Sequence, residues 1–87
     1  MNLFEFYFLK RSLRKTLVGA VSKAWELANK YNPEAERTLR EETAYGDIKR
    51  LLEQKIVEVG PIKSSRVKEL EDYLLKLTRR QLSKLPD

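Results

Sequence analysis

Residues 3–31 read as one uninterrupted amphipathic helix, and a stripe of that length obliges the rest of the chain to fold around it. At about 100° per residue, Leu3, Phe6, Leu9, Leu13, Leu17, Ala20, Val21, Ala24, Leu27, Ala28 and Tyr31 share one broad face. The opposite face carries Arg11, Lys15, Ser22, Lys23, Glu26, Asn29 and Lys30. One side has to be buried against other elements, while the other presents mainly cations.

The remaining signals predict further helices. Asn32-Pro33 ends the first helix, because the residue before proline is pushed out of the α region. Asn32 is then expected to cap a second helix, with Pro33 at its first position and Glu34 and Glu36 in its first turn. That helix runs to near Thr43 and has only Ala35 and Leu39 as apolar positions, so it reads as short and solvated. A change of phase at Tyr45-Gly46 predicts a turn. Asp47 then caps a third short helix with Ile48, Leu51 and Leu52 inward. Ile56-Val57-Glu58-Val59 is the only β-like run, and Gly60-Pro61 closes it. Ser64 and Ser65 precede a last helix, expected over 65–84, with the seam Val67, Leu70, Leu74 and Leu77 and with Tyr73 beside it. Glu69, Glu71 and Asp72 fall early in that helix and Lys76, Arg79, Arg80 and Lys84 late, an order that complements the helix dipole. The expected fold is mainly α and a single domain over 1–87. It is a small helical bundle of a long N-terminal helix, two short helices, a short extended connector and a long C-terminal helix. The two long helices should pack on each other, with Trp25 and Tyr73 at the margin of their contact.

The chain has no Cys and no His. Thiol nucleophiles, imidazole bases and the two strongest zinc ligands are therefore missing together. No catalytic residue, metal site or cofactor is expected, and the chain reads as non-enzymatic. Glu41-Glu42, Glu69, Glu71 and Asp72 lie on polar helix faces beside cations, an arrangement of solvated pairs rather than of acid–base chemistry. Charged residues make up 36% of the chain, and the 10 Glu far outnumber the 3 Asp and 2 Gln, a pattern of hyperthermophile proteins that points to a thermophilic archaeal or bacterial source. The apolar run from Leu3 to Leu9 is broken by Glu5 and has no basic segment before it, so it reads neither as a secretory signal nor as a membrane span, which needs about 20 apolar residues. The expected location is the cytoplasm.

Charge is unevenly placed along the chain. Residues 1–31 hold six basic and two acidic side chains, residues 32–59 five and seven, and residues 60–87 seven and four. Two basic ends thus flank an acidic middle, and basic surface attracts polyanions or an acidic partner. The densest cluster is Lys10, Arg11, Arg14 and Lys15. Its i,i+4 pairs repel by a few tenths of a kcal/mol in an isolated helix, which an anion would relieve. That anion is either a nucleic-acid phosphate or a carboxylate of Glu34, Glu36, Glu41 or Glu42. Lys63, Arg66, Arg79 and Arg80 join the candidate contacts to nucleic acid or an acidic partner. The segment Gly60-Pro61-Ile62-Lys63-Ser64-Ser65-Arg66 has hydroxyls, cations and a helix start that suit a phosphate, although Ser64 or Ser65 serves equally as a plain cap. Phe4, Tyr7 and Phe8 surround the first two turns together with Phe6. Phe4 and Phe8 fall on the polar arc, so they suit a protein partner; core packing and an in-plane membrane anchor are the alternatives.

The last helix resembles helices of the replication-associated GINS subunits; the likeness covers that helix alone, rests on no diagnostic motif and carries over no residue's role. The expected function is a small basic accessory subunit of a nucleic-acid-processing complex such as a polymerase, replication or ribonucleoprotein assembly. It would dock on a larger protein by apolar helix faces and meet DNA or RNA backbone, or an acidic surface, by its basic face. One alternative is a DNA-binding regulator of helix-turn-helix or winged-helix type, with 33–59 read as helix, turn, helix and strand. The other is a self-assembling helical structural protein, a homo-oligomer.

Overall fold

Asn2 starts the first helix by accepting the Glu5 N–H on its Oδ1 at 2.8 Å. From there α1 runs unbroken over Leu3–Tyr31 in a computed structural model that describes residues 2–60 and 62–87. Asn32 closes α1 through its N–H to the Ala28 carbonyl at 2.9 Å. It is therefore the C-cap of α1 and not the N-cap of the next helix. Pro33 lies in the turn that follows, tied by the Ala35 N–H to the Asn32 carbonyl at 3.2 Å.

The second helix, α2, spans Arg37–Val59 without interruption. It replaces the two short helices and the extended connector expected from sequence. Ala44, Ile48, Leu52 and Ile56 recur every fourth residue and are all buried, which puts one continuous stripe on both sides of Gly46. A helical glycine costs about 1 kcal/mol relative to alanine, and burial of a single Leu or Ile contributes about 1.5–3 kcal/mol, so packing outweighs the local preference for a turn. Asp47 sits inside the helix, paired with Arg50 one turn on, and caps nothing. The β-like run is the last turn of α2, with Ile56 inward and Val57 and Val59 exposed. No strand occurs among the described residues: burial of Ile56 on the stripe of α2 outweighs the weak strand preference of exposed Val57 and Val59. Leu39, one of the two apolar positions of the expected short and solvated helix, is exposed. The helix-turn-helix reading needed a turn at Gly46 and a strand after it; neither exists. Pro61, part of the expected break before the last helix, lies outside the described residues.

The third helix, α3, spans Ser64–Lys84, close to the sequence expectation. Lys63 is its N-cap and makes no side-chain cap bond, so Ser64 and Ser65 are first-turn residues and not caps. Its buried stripe is Leu70, Leu74, Thr78 and Leu82. Val67 and Leu77 are half-buried beside it. The buried Thr78 hydroxyl donates to the Leu74 carbonyl at 2.8 Å, which removes the cost of burying it.

The three helices run up, down and up. Phe6 and Lys10 of α1 meet Arg66 and Tyr73 of α3 at one end. Trp25 of α1 and Arg37 of α2 meet the end of α3 at the other. The bundle measures 46 × 19 × 17 Å. The core is a single cluster fed by all three helices, and α2 packs on α1 more extensively than α3 does, so the pairing of α1 with α3 expected from sequence is present but is not the larger contact. Trp25 is buried rather than marginal, whereas Tyr73 is half-buried at the margin as expected. Leu3 and Tyr31, both on the apolar face of α1, are exposed. They stand at the two ends of the longest helix, where the shorter α2 and α3 give no cover.

The continuity of α2 has a direct test. A Cβ built on Gly46 meets nothing within 4 Å, and Gly46 does not have positive φ. Gly46→Ala is therefore expected to stabilise the protein by about 0.5–1 kcal/mol, by removing backbone freedom from the unfolded chain. Thermal melting should show a rise of about 4–8 °C per kcal/mol. A fall in Tm would restore a turn at Gly46.

Candidate nucleic-acid interface

The inward stripe of α1 sets the direction of its cations. With Leu13 and Leu17 buried, the helical period turns Lys10 and Arg14 toward α3 and Arg11 and Lys15 toward solvent. On α3, burial of Leu74 and Thr78 turns Tyr73, Lys76 and Arg80 back toward α1. The two sets meet along a furrow between the helices. One hollow of the furrow, of about 290 Å³, is lined by Tyr7, Lys10, Arg11, Arg14 and Tyr73. A second, of about 270 Å³, is lined by Arg14, Tyr73, Lys76, Leu77 and Arg80. Arg14 and Tyr73 border both, which makes the furrow continuous. Lys15 stands on its outer shoulder beside Phe8, Arg11 and Ser12.

Five cations thus line the furrow and none of the lining residues is acidic. Among the described residues, Lys10, Arg11, Arg14, Lys15, Lys76 and Arg80 make no ion pair. The Lys10 ammonium rests over the Tyr73 ring, 4.2 Å from its centre, the single aromatic contact that offsets part of the repulsion. The acidic middle of the chain does not neutralise this cluster. Glu41 pairs with Arg37 at 3.3 Å, and Glu42 pairs with Arg79.

The structure divides the residues selected from sequence. Lys10, Arg11, Arg14 and Arg80 come together in the furrow, with Lys15 at its edge. Arg79 does not join them. Its guanidinium binds Glu42 at 2.5 and 3.3 Å and lies 3.7 Å from the centre of the Tyr45 ring, on the α2 side of α3. The hydrogen bond from Arg79 holds the Glu42 carboxyl below the ordinary carboxylate range, and the same bond raises Arg79. Arg66 is laid over the Phe6 ring at 5.1 Å, and Lys63 is exposed at the start of α3. Neither lines the furrow, and the Pro61 part of the proposed phosphate loop is outside the described residues.

Lys76 and Tyr73 are furrow residues that sequence reasoning did not select. The signal was present: Lys76 and Arg80 repeat on α3 the i,i+4 basic spacing of Lys10 and Arg14 on α1. Only the packing of α1 on α3 places the two pairs side by side.

The aromatic end of α1 is separate from the core. Phe6 is buried, whereas Phe4, Tyr7 and Phe8 are 69%, 63% and 52% exposed. Phe4 and Phe8 contact edge to face with ring centres 4.8 Å apart. This exposed pair lies on the same side of α1 as Arg11 and Lys15, and Phe8 borders a shallow hollow with both cations. No helix among the described residues is long and apolar enough to cross a membrane. Comparison with known protein families, with characterised proteins and with solved structures gives no match for the chain.

Proposed function

We propose that this protein is a non-enzymatic accessory module that holds nucleic-acid backbone in the α1–α3 furrow and docks on a larger protein through the aromatic end of α1. The observation that carries this reading is the furrow itself: Lys10, Arg11, Arg14, Lys76 and Arg80 converge with no carboxylate in the lining. Structural cations on a folded domain are normally paired or scattered, as Arg37, Arg40, Arg50 and Arg79 are paired here. Cations left unpaired in a line repel one another, and a polyanion with regularly spaced phosphates relieves that repulsion while releasing its own counterions. Exposed Phe4 and Phe8 favour the docking half of the proposal, since aromatic side chains are enriched where proteins bury surface on one another.

Binding that rests on phosphate contacts is indifferent to sequence and steeply dependent on salt. The protein is expected to bind mixed-sequence DNA or RNA at ~50 mM salt, with a log–log salt slope of roughly −2 to −4 on duplex DNA. Arg14→Ala with Arg80→Ala removes two cations from one hollow and should reduce the magnitude of that slope by about one to two units. Both side chains are exposed, so the fold should survive the change. No binding at ~50 mM salt, or a slope unaltered by the double substitution, would overturn the assignment of the furrow.

A further inference from the structure

We propose that the furrow takes single-stranded nucleic acid in preference to duplex, with bases stacking on Tyr7 and Tyr73 while phosphates meet the surrounding cations. The inference rests on the nucleic-acid reading above and adds the form of the ligand.

Three features carry it. The first is the layout of charge. The furrow cations stand on two facing helix segments, Lys10, Arg11 and Arg14 on α1 and Lys76 and Arg80 on α3; Tyr7 to Arg14 and Tyr73 to Arg80 each rise only about 11 Å, at 1.5 Å per residue. A duplex is convex and carries two phosphate rows separated by a groove about 6 or 12 Å wide, so a furrow between two packed helices, whose axes lie about 8–10 Å apart, meets one row and leaves the other unserved. A single strand can lie in the furrow and use all five cations.

The second feature is the aromatic lining. Tyr7 and Tyr73 border the same hollow with Lys10, Arg11 and Arg14. Tyr7 is exposed despite the cost of hydrating an aromatic ring, and half-buried Tyr73 carries the Lys10 ammonium over its ring, a place that a base can take by displacing the Lys10 side chain. Cation-flanked aromatic faces are the combination that binds unpaired bases, since every base has a face to stack and only an unpaired one can turn it outward. In a duplex those faces are already stacked within the helix.

The third feature is room for a base. The two hollows, about 290 and 270 Å³, each exceed the ~30 Å³ that a water occupies in the liquid by about ninefold, space for a flat heterocycle. Their lining has no Asn, Gln, Asp or Glu, so the amide and carboxylate contacts that read adenine and cytosine edges are missing, and the Arg and Lys side chains present serve phosphates as well as guanine edges.

The test compares three ligands at one salt concentration by fluorescence anisotropy. They are oligothymidylate of about 16 nucleotides, an abasic strand with the same number of phosphates, and a duplex of matching length. Oligothymidylate is expected to bind about tenfold tighter than the abasic strand, the gain of one well-stacked base. It should also bind more tightly than the duplex. Tyr7→Ser should shrink the thymidylate-to-abasic ratio severalfold, and Tyr7→Ser with Tyr73→Leu should bring it close to one, while duplex affinity changes by less than about twofold. Tyr7→Ser alone decides the matter if the double variant does not fold, because Tyr7 is exposed. Equal affinity for thymidylate and abasic strands, or tighter binding of the duplex, would overturn the single-strand inference and leave the backbone-binding reading intact. Binding of none of the three at ~50 mM salt would overturn that reading as well.

Discussion

Leu17→Ala combined with Leu74→Ala is expected to leave the protein largely unfolded at room temperature. Leu17 is 1% exposed and Leu74 is not exposed at all, and they enter one core cluster from α1 and α3. Ile48 brings α2 into the same cluster, so neighbouring side chains are held from three directions and cannot easily collapse into the space left by a deletion. Each single substitution should cost about 2–5 kcal/mol. A domain of this size has roughly 5–10 kcal/mol to lose. Circular dichroism melts check the result: both single variants should melt well below wild type, and the double variant should show no cooperative transition. Single variants that melt like wild type would mean that the stripes of α1 and α3 face a partner and not each other.

Trp25→Ala carries the next largest expected loss, and it acts at the opposite end of the bundle from the aromatic patch. The indole is 5% exposed and its Nε1–H donates to the Pro86 carbonyl at 3.0 Å. The guanidinium groups of Arg37 and Arg40 lie 4.9 and 5.4 Å from its ring centre. Arg37 also donates to the Leu82 and Leu85 carbonyls at 3.0 and 2.6 Å, satisfying acceptors that the end of α3 leaves open. Arg40 bridges Asn29 and Asp87, each at 2.6 Å, and its guanidinium holds the Asp87 carboxyl below the ordinary carboxylate range. Trp25 is therefore the platform on which the start of α2 and the chain's last residues are assembled. Its truncation should cost about 3–5 kcal/mol, read as a fall in Tm. Trp25→Phe keeps most of the apolar area and loses the hydrogen bond, so it should cost clearly less. Equal losses for Ala and Phe would place the stabilisation in the Pro86 bond alone.

The helical class of this fold was legible because α1 announces itself: its apolar positions keep one phase from Phe6 to Ala28, and Asn32-Pro33 ends it. The break assigned at Tyr45-Gly46 shows what local signals leave out. Glycine and a β-branched run weigh against helix by about 1 kcal/mol or less per residue, while the spacing of Ala44, Ile48, Leu52 and Ile56 weighs for it through burial that exists only once α1 and α3 are present. Trp25 was placed at the margin for the same reason. Its position on the wheel of α1 is peripheral, and the elements that cover it, Arg37, Arg40 and Pro86, are distant in sequence. The candidate site was half legible. Four cations of α1, Lys10, Arg11, Arg14 and Lys15, fall within six residues of the chain and stood out. Arg79 and Arg80 could not be told apart by composition: adjacent residues on a helix point about 100° apart, and that angle sends one to Glu42 and the other to the furrow. The same angular reasoning separated Phe4 and Phe8, which are exposed, from buried Phe6; it did not single out Tyr7, which is exposed as well.

The account turns on nucleic acid lying in the α1–α3 furrow, and amide chemical-shift mapping of the isotope-labelled protein tests this residue by residue. On titration with oligothymidylate at ~50 mM salt, the largest shifts are expected over residues 7–15 of α1 and 73–80 of α3. Lys49, Arg50 and Lys55 on α2 should stay unperturbed, although they too are exposed cations. Shifts centred on α2, or a spectrum unchanged at saturating strand, would contradict the account.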